Sequence, residues 1–154
     1  MGQRARGWRS PARGPSDPKP FSEGGAPVKL LPSSEWTGAI RATVALYKRL
    51  AQVMVRRSIE VRIAVEPDVW WAACYGPCGV MHLNKGRLGA AFFAEGASER
   101  VLDLLIHELG HEYCADHLSK DYYRALTKLG ARLALAVAAD PGLLAHDPDA
   151  PPGR

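Results

Sequence analysis

The stretch Leu104-Leu105-Ile106-His107-Glu108-Leu109-Gly110-His111-Glu112-Tyr113-Cys114-Ala115-Asp116-His117 constrains this chain more than any other. On a helix, residues i and i+4 share one face about one turn apart, so His107 and His111 can address a single metal ion. Glu108 lies about a quarter turn round the axis, within reach of a water on that ion but not in line to be a ligand. With this chain's own His and Glu content, H-E-x-x-H arises by chance in about one such chain in a hundred. A third histidine at one specified later position cuts that to a few in ten thousand. The pattern is therefore read as a catalytic metal layout: protein ligands, an open position for water, and a carboxylate to take its proton.

The residues before the motif explain why a metal is needed. Val101, Leu104, Leu105 and Ile106 make the helix nearly apolar, so it must be largely buried. Two histidines and a glutamate on a buried helix require partners. Neutral imidazole suits zinc, and zinc is the cofactor expected. His107 and His111 are the first two ligands and Glu108 is the general base. The third ligand is expected from the segment just after the helix. His117 is placed as a returning chain would place it; Asp116 is the alternative, with a supporting carboxylate as its other role. Asp103, one turn before His107, is a second supporting carboxylate. Cys114, three residues after His111, is read either as a thiol approaching the metal or as a small buried residue.

Helix signals surround the motif. Ser98 caps the motif helix, with Glu99 in its first turn, and the helix is predicted over residues 98–113. A first helix is predicted from about Ser33 to Arg57, with Trp36, Ile40, Val44, Tyr47, Ala51 and Met54 or Leu50 on its buried face. Ser119 caps a last helix with the face Tyr122, Leu126, Leu129, Leu133, Ala136 and Val137, stopped by Asp140-Pro141-Gly142. Lys120, Arg124, Lys128 and Arg132 form a basic stripe on its other side, read as a solvated face.

Between the helices, residues 58–66 alternate: Ile59, Val61, Ile63 and Val65 one way, Glu60, Arg62, Ala64 and Glu66 the other. Residues 70–75 and 80–84 are two further strands, joined as a hairpin around Gly76-Pro77-Cys78-Gly79. Residues 84–87 are expected to turn, and 88–96 are ambiguous. Cys74 and Cys78, with no second pair, make a poor zinc site. His82 is read as a strand histidine and His146 as a tail residue. The fold class is α+β, a sheet of about three strands packed with the motif helix and flanking helices.

Domain limits follow from composition. Residues 1–31 are rich in Arg, Gly, Pro and Ser with few apolar side chains, and are read as a disordered basic tail or linker. Residues 32–140 form the folded domain and 141–154 a flexible C-terminal tail. The formal net charge of +4 sits in the N-terminal segment, so the folded part carries no basic groove. Nucleic acid binding through that tail is a further reading; a solvated linker is the simpler one. Three cysteines give no disulfide framework, and neither a secretory signal nor a membrane span is evident. A cytoplasmic location is expected.

The full pattern H-E-x-x-H-x-x-C-x-x-H resembles the metzincin zinc peptidases in spacing. It has Cys114 where they have a glycine, and Met1, Met54 and Met81 all precede the motif where they have a methionine turn after it. The chain is more similar to SprT-like and WLM-type compact zinc peptidases, which pair H-E-x-x-H with a third histidine at this distance and an aromatic-bearing helix, here His117-Leu118-Ser119-Lys120-Asp121-Tyr122-Tyr123. Residues 73–119 also look like a zincin-type region of large bacterial ATP-binding proteins of plasmids and phages. The resemblance covers residues 104–123 well and 35–140 loosely.

It implies a minimal zincin fold and a zinc metallopeptidase acting on a peptide or protein substrate. His107, His111 and His117 would bind zinc, and Glu108 would pass the water's proton to the leaving amine. Tyr122 or Tyr123 would be an oxyanion donor or a core residue. The strand 80–84 would offer an edge to an extended peptide. The alternative is a non-hydrolytic zinc-binding accessory module of a larger bacterial mobile-element or DNA-associated system, with an upstream ATPase-type partner or fused domain.

Overall fold

A computed structural model describes residues 28–76 and 78–149. Within them the chain is a small α+β fold of four α-helices and a three-stranded mixed sheet. The helices are α1 (Gly38–Met54), α2 (Lys85–Ala94), α3 (Glu99–Gly110) and α4 (Lys120–Ala139), and the strands β1 (Glu60–Ala64), β2 (Ala73–Tyr75) and β3 (Val80–Asn84). Short 3-10 turns at Ser33–Glu35 and Pro141–Leu144 flank the first and last helices. No helix among the described residues is long and apolar enough to cross a membrane.

Each helix starts where a side chain can accept an orphan backbone N–H. Thr37 accepts from Ile40, Ser98 from Val101 and Ser119 from Tyr122. The first helix therefore begins at Gly38 under a Thr37 cap, because Ser33–Glu35 forms a separate turn. Of the expected face of α1, Ile40, Val44, Tyr47, Leu50, Ala51 and Met54 are buried, whereas Trp36 lies before the helix, at the end of the 3-10 turn, and is half-buried. Arg132 of α4 donates to the Met54 carbonyl at 2.6 Å, satisfying one of the carbonyls left open at the end of α1. Arg56 then takes a left-handed conformation (φ 60°), which turns the chain into β1.

The strand order is β1-β3-β2. β1 runs parallel to β3 from Glu60↔Val80 to Ala64↔Asn84, and β2 pairs antiparallel with β3 from Ala73↔Leu83 to Tyr75↔Met81. The hairpin is thus as predicted, but β3 is the central strand. The expectation that residues 80–84 offer a free edge is corrected: both sides of β3 are paired, and β2 is the edge strand. The burial of β3 agrees, since Met81, His82, Leu83 and Asn84 are all buried rather than alternating.

Residues 84–87 are not a free turn. Asn84 is fully buried and caps α2. Its Oδ1 accepts from the N–H of Glu66 at 3.0 Å and of Gly86 at 3.1 Å, and its Nδ2 donates to the carbonyls of Glu66 at 2.8 Å and Trp71 at 3.1 Å. One amide thereby joins two loops to the start of a helix, and the ambiguous segment after it is helical, kinked at Gly89 (φ 76°).

The ends of the domain reach further than composition suggests. Leu31 donates to the Ile63 carbonyl and Val65 to the Lys29 carbonyl, so residues 29–31 run beside β1. At the other end His146 lies 3.2 Å from the buried Thr43 hydroxyl, so it is packed against α1. Residues 1–27 and 150–154, where most of the N-terminal tail and the end of the C-terminal tail fall, lie outside the described residues.

A hydrophobic core of α1, the sheet, α2, α3 and α4 residues holds these elements together. Tyr47, fully buried on α1, donates its hydroxyl to the Val101 carbonyl at 2.7 Å and so ties α1 to the first turn of α3. The far end of α3 packs on α4 through Gly110, where an added Cβ would lie 2.8 Å from Leu126 Cδ2 and 2.9 Å from Tyr122 Cε2. This close approach brings the loop between the two helices back over the histidines.

Candidate metal centre

α3 ends at Gly110, and His111 is its C-cap, still in right-handed helical conformation (φ −68°, ψ −12°). The i, i+4 relation of His107 and His111 therefore survives the end of the helix. The next residues wind in a short 3-10 turn: Glu112 donates to Leu109 and Tyr113 to Gly110. The chain then reverses, and His117 returns over the two helical histidines.

Donor atoms of His107, His111 and His117 all lie within 4.8 Å of one another. His117 Nε2 is 3.2 Å from His107 Nε2. The ring centroids are 5.6 Å apart for His107–His111, 5.0 Å for His107–His117 and 4.5 Å for His111–His117. Three imidazole nitrogens converging this closely can bind a metal ion. Burial lowers the pKa of His107, with the nearby His117 adding to the effect and Asp103 opposing it. Burial also lowers that of His111, against the contact with the Cys114 carbonyl. Both shifts favour the neutral imidazole that a metal ion requires.

The neighbours orient these rings. His111 Nδ1 lies 3.1 Å from the Cys114 carbonyl oxygen, a pure acceptor, so Nδ1 carries the proton and Nε2 keeps its lone pair. Tyr122 is buried and stands behind all three histidines, its ring centroid 5.8, 5.2 and 5.0 Å from those of His107, His111 and His117. Its hydroxyl donates to the His107 carbonyl at 2.9 Å. Burial, with the charges of Glu108 and Asp103, pushes that hydroxyl's pKa up to about 12, so it remains a donor. Of the two readings of Tyr122, the structure supports a core residue that backs the site. Tyr123 is 58% exposed beside it.

The two alternatives at the third ligand position are occupied elsewhere. Asp116 Oδ1 accepts from the Leu118 N–H at 2.9 Å, stabilising the turn that carries His117. Cys114 Sγ lies 3.0 Å from the Ser119 hydroxyl and 3.7 Å from the Asp116 carbonyl. Neither joins the converging set, and Cys114 acts as a polar link between the loop and the cap of α4.

Glu108 is buried, 6% exposed, and its charge is felt by Cys74 of β2. Burial raises its pKa to about 7, against a backbone hydrogen bond from Tyr75. A carboxyl group poised near neutrality can both accept and release a proton.

One part of the surroundings carries no local sequence signal. Glu112, next to His111, accepts from Arg57 Nη1 at 2.8 Å and from the Tyr75 hydroxyl at 2.6 Å. These partners lie 55 and 37 residues away in the chain.

Comparison of the chain with protein-family models, with curated proteins and with solved structures returned no match.

Proposed function

We propose that the chain is a zinc-dependent peptidase with His107, His111 and His117 as zinc ligands and Glu108 as general base. The observation that carries this reading is the convergence of the three imidazoles beside a buried carboxyl group of the same helix. The donor set fits zinc. Two nitrogens each about 2.0–2.1 Å from a tetrahedral ion stand roughly 3.3 Å apart, and the His107–His117 pair stands at 3.2 Å. Three neutral nitrogen ligands leave a fourth position for water or substrate.

A zinc ion held there would supply Lewis acidity toward a peptide carbonyl and would acidify a water molecule. The remaining work falls to the chain. Glu108 accepts a proton on its carboxylate and delivers it to the departing amine, a role suited to a group held near neutral pH. The Tyr122 wall and the buried face of α3 keep bulk water from the back of the site. The outer edge of β2, beside α3, is the edge an extended peptide would meet by strand addition. The alternative is a non-hydrolytic zinc-binding module; the one thiol close to the histidines in sequence, Cys114, contacts the Ser119 hydroxyl and the Asp116 carbonyl.

The test joins composition to activity. Purified protein is expected to carry about one zinc per chain and to hydrolyse fluorescein-labelled casein. Glu108→Gln, which keeps the zinc, is expected to lose about 10²-fold or more in kcat. Protein without stoichiometric zinc, or a Glu108→Gln variant as active as the parent, would overturn the proposal.

A further inference from the structure

The loop that returns His117 to the helical histidines is closed by a run of side-chain bonds centred on Ser119. The Ser119 hydroxyl oxygen accepts from the Tyr122 N–H at 3.0 Å as the N-cap of α4. Its proton is then free to serve the Cys114 sulfur, 3.0 Å away. The Cys114 thiol in turn donates to the Asp116 carbonyl at 3.7 Å, within the longer reach of a sulfur donor. The Ser119 N–H donates to the same carbonyl at 3.1 Å. All of these donors and acceptors are satisfied in one direction, the arrangement in which successive bonds strengthen one another.

Each end of this run meets the histidines. Cys114 donates its N–H to the Gly110 carbonyl at 3.3 Å, which fixes it to the end of α3, and its own carbonyl oxygen stands 3.1 Å from His111 Nδ1. At the other end the Tyr122 ring packs against all three imidazoles, and its hydroxyl donates to the His107 carbonyl at 2.9 Å. His117 lies between, two residues before Ser119, in the turn that Asp116 Oδ1 holds by accepting the Leu118 N–H at 2.9 Å. The Cys114–Ser119 contact therefore spans the segment that carries the third histidine. A partner on the second nitrogen of a metal-binding histidine fixes both the tautomer and the ring orientation.

We propose that Ser119 and Cys114 are positioning residues of the metal centre: their side-chain contact fixes the Cys114 carbonyl that orients His111 and closes the turn that holds His117 over the helical pair. The inference rests on the reading of the three histidines as a zinc site, and measurements with and without zinc separate the two. In the full chain, zinc affinity is read by competition with a chromophoric chelator. Cys114→Ala and Ser119→Ala are each expected to weaken it about tenfold, the usual cost of losing a ligand's partner. The double variant is also expected to be about tenfold weaker, rather than about a hundredfold, because both changes break one contact. Cys114→Ser keeps a hydrogen-bonding group and should come within about threefold of the parent. Thr37→Ala removes the corresponding cap of α1. It should lower the melting temperature as Ser119→Ala does, while leaving zinc affinity within about twofold. In the zinc-free full chain, the NMR shifts of the ring nitrogens read the His111 tautomer. The parent should hold the proton on Nδ1, and Cys114→Ala and Ser119→Ala should shift it toward Nε2.

Zinc affinity and His111 tautomer unchanged in both single variants overturn the proposal. So does a loss of about a hundredfold in the double variant, which makes the two residues independent. An equal loss of affinity in Thr37→Ala also overturns it, because zinc binding would then follow overall stability alone. A parent that binds no zinc removes the zinc reading, and the tautomer measurement then decides by itself whether Cys114 and Ser119 hold His111.

Discussion

Gly110→Ala tests whether the contact between α3 and α4 is as tight as the structure makes it. Two effects oppose each other. In a helix interior alanine is favoured over glycine by about 1 kcal/mol, and by less at the last helical residue. Against this, the new Cβ would lie 2.8 Å from Leu126 Cδ2 and 2.9 and 3.3 Å from Tyr122 Cε2 and Cζ. The leucine methyl can turn away. The tyrosine ring is held by its hydroxyl on the His107 carbonyl and by three imidazoles packed against it. Overpacking of this kind costs about 1–3 kcal/mol, so a net loss of roughly 1–2 kcal/mol is expected. At about 2.1 cal/mol/K of unfolding entropy per residue, a domain of this size shifts by about 4 °C per kcal/mol. The apo protein should therefore melt roughly 4–8 °C lower in calorimetry. Leu126→Ala in the same chain should recover part of that loss, giving a coupling of about 0.5 kcal/mol or more. Because Tyr122 backs the histidines, zinc affinity should fall by about 10-fold as well. A Gly110→Ala protein as stable as its parent, or more so, would show that helix propensity wins and that the interface yields freely.

Two further outcomes are expected. Asn84→Ala removes four hydrogen bonds from a fully buried amide and should cost about 3–4 kcal/mol in urea unfolding; a loss below about 1 kcal/mol would refute its role as the junction of the Glu66–Trp71 loop with α2. Burial, with the nearby Glu108 charge, pushes the Cys74 thiol up to about 12, so near pH 8.5, where an ordinary thiol is about half ionised, its reactive thiolate is about a thousandfold scarcer than usual. Peptide mapping after brief iodoacetamide treatment should find the exposed Cys78 labelled first and Cys74 last, with Cys74 labelling still rising about tenfold per pH unit above pH 10; early labelling of Cys74 in folded protein would contradict this.

The parts that sequence reading places well are those governed by neighbours a few residues away. The caps of α3 and α4, the buried face of α1 and the i, i+4 histidine pair all depend on local side chains and helical period. Residues 84–87 misled because an Asn-Lys-Gly run offers the same local chemistry to a turn and to a helix cap. What decides between them is Asn84's bonds to Glu66 and Trp71, 18 and 13 residues away. Likewise Glu60–Ala64 and Val80–Asn84 look alike as half-polar strands, yet only Val80–Asn84 is central, because its polar His82 and Asn84 are buried within the fold.

The same contrast runs through the candidate site. His117 could be singled out because a helix that ends near residue 111 must return the chain somewhere, and a histidine six residues on is within reach. Asp116 and Cys114 compete for that position on paper, since both are ligand types at similar spacing. In the structure the Leu118 N–H bonds Asp116 and the Ser119 hydroxyl engages Cys114, while the donor atoms of His117 converge with those of the other two histidines. Glu112 had no such signal. In sequence it is one more acid on a charged turn, and its partners Arg57 and Tyr75 become neighbours only once the sheet forms. A motif search therefore stops at His107, Glu108 and His111, while the partners of Glu112 are supplied by β2 and the α1–β1 connection. The histidines and Glu108 can be read from local spacing; the contacts made by Glu112 depend on tertiary structure that no local pattern encodes.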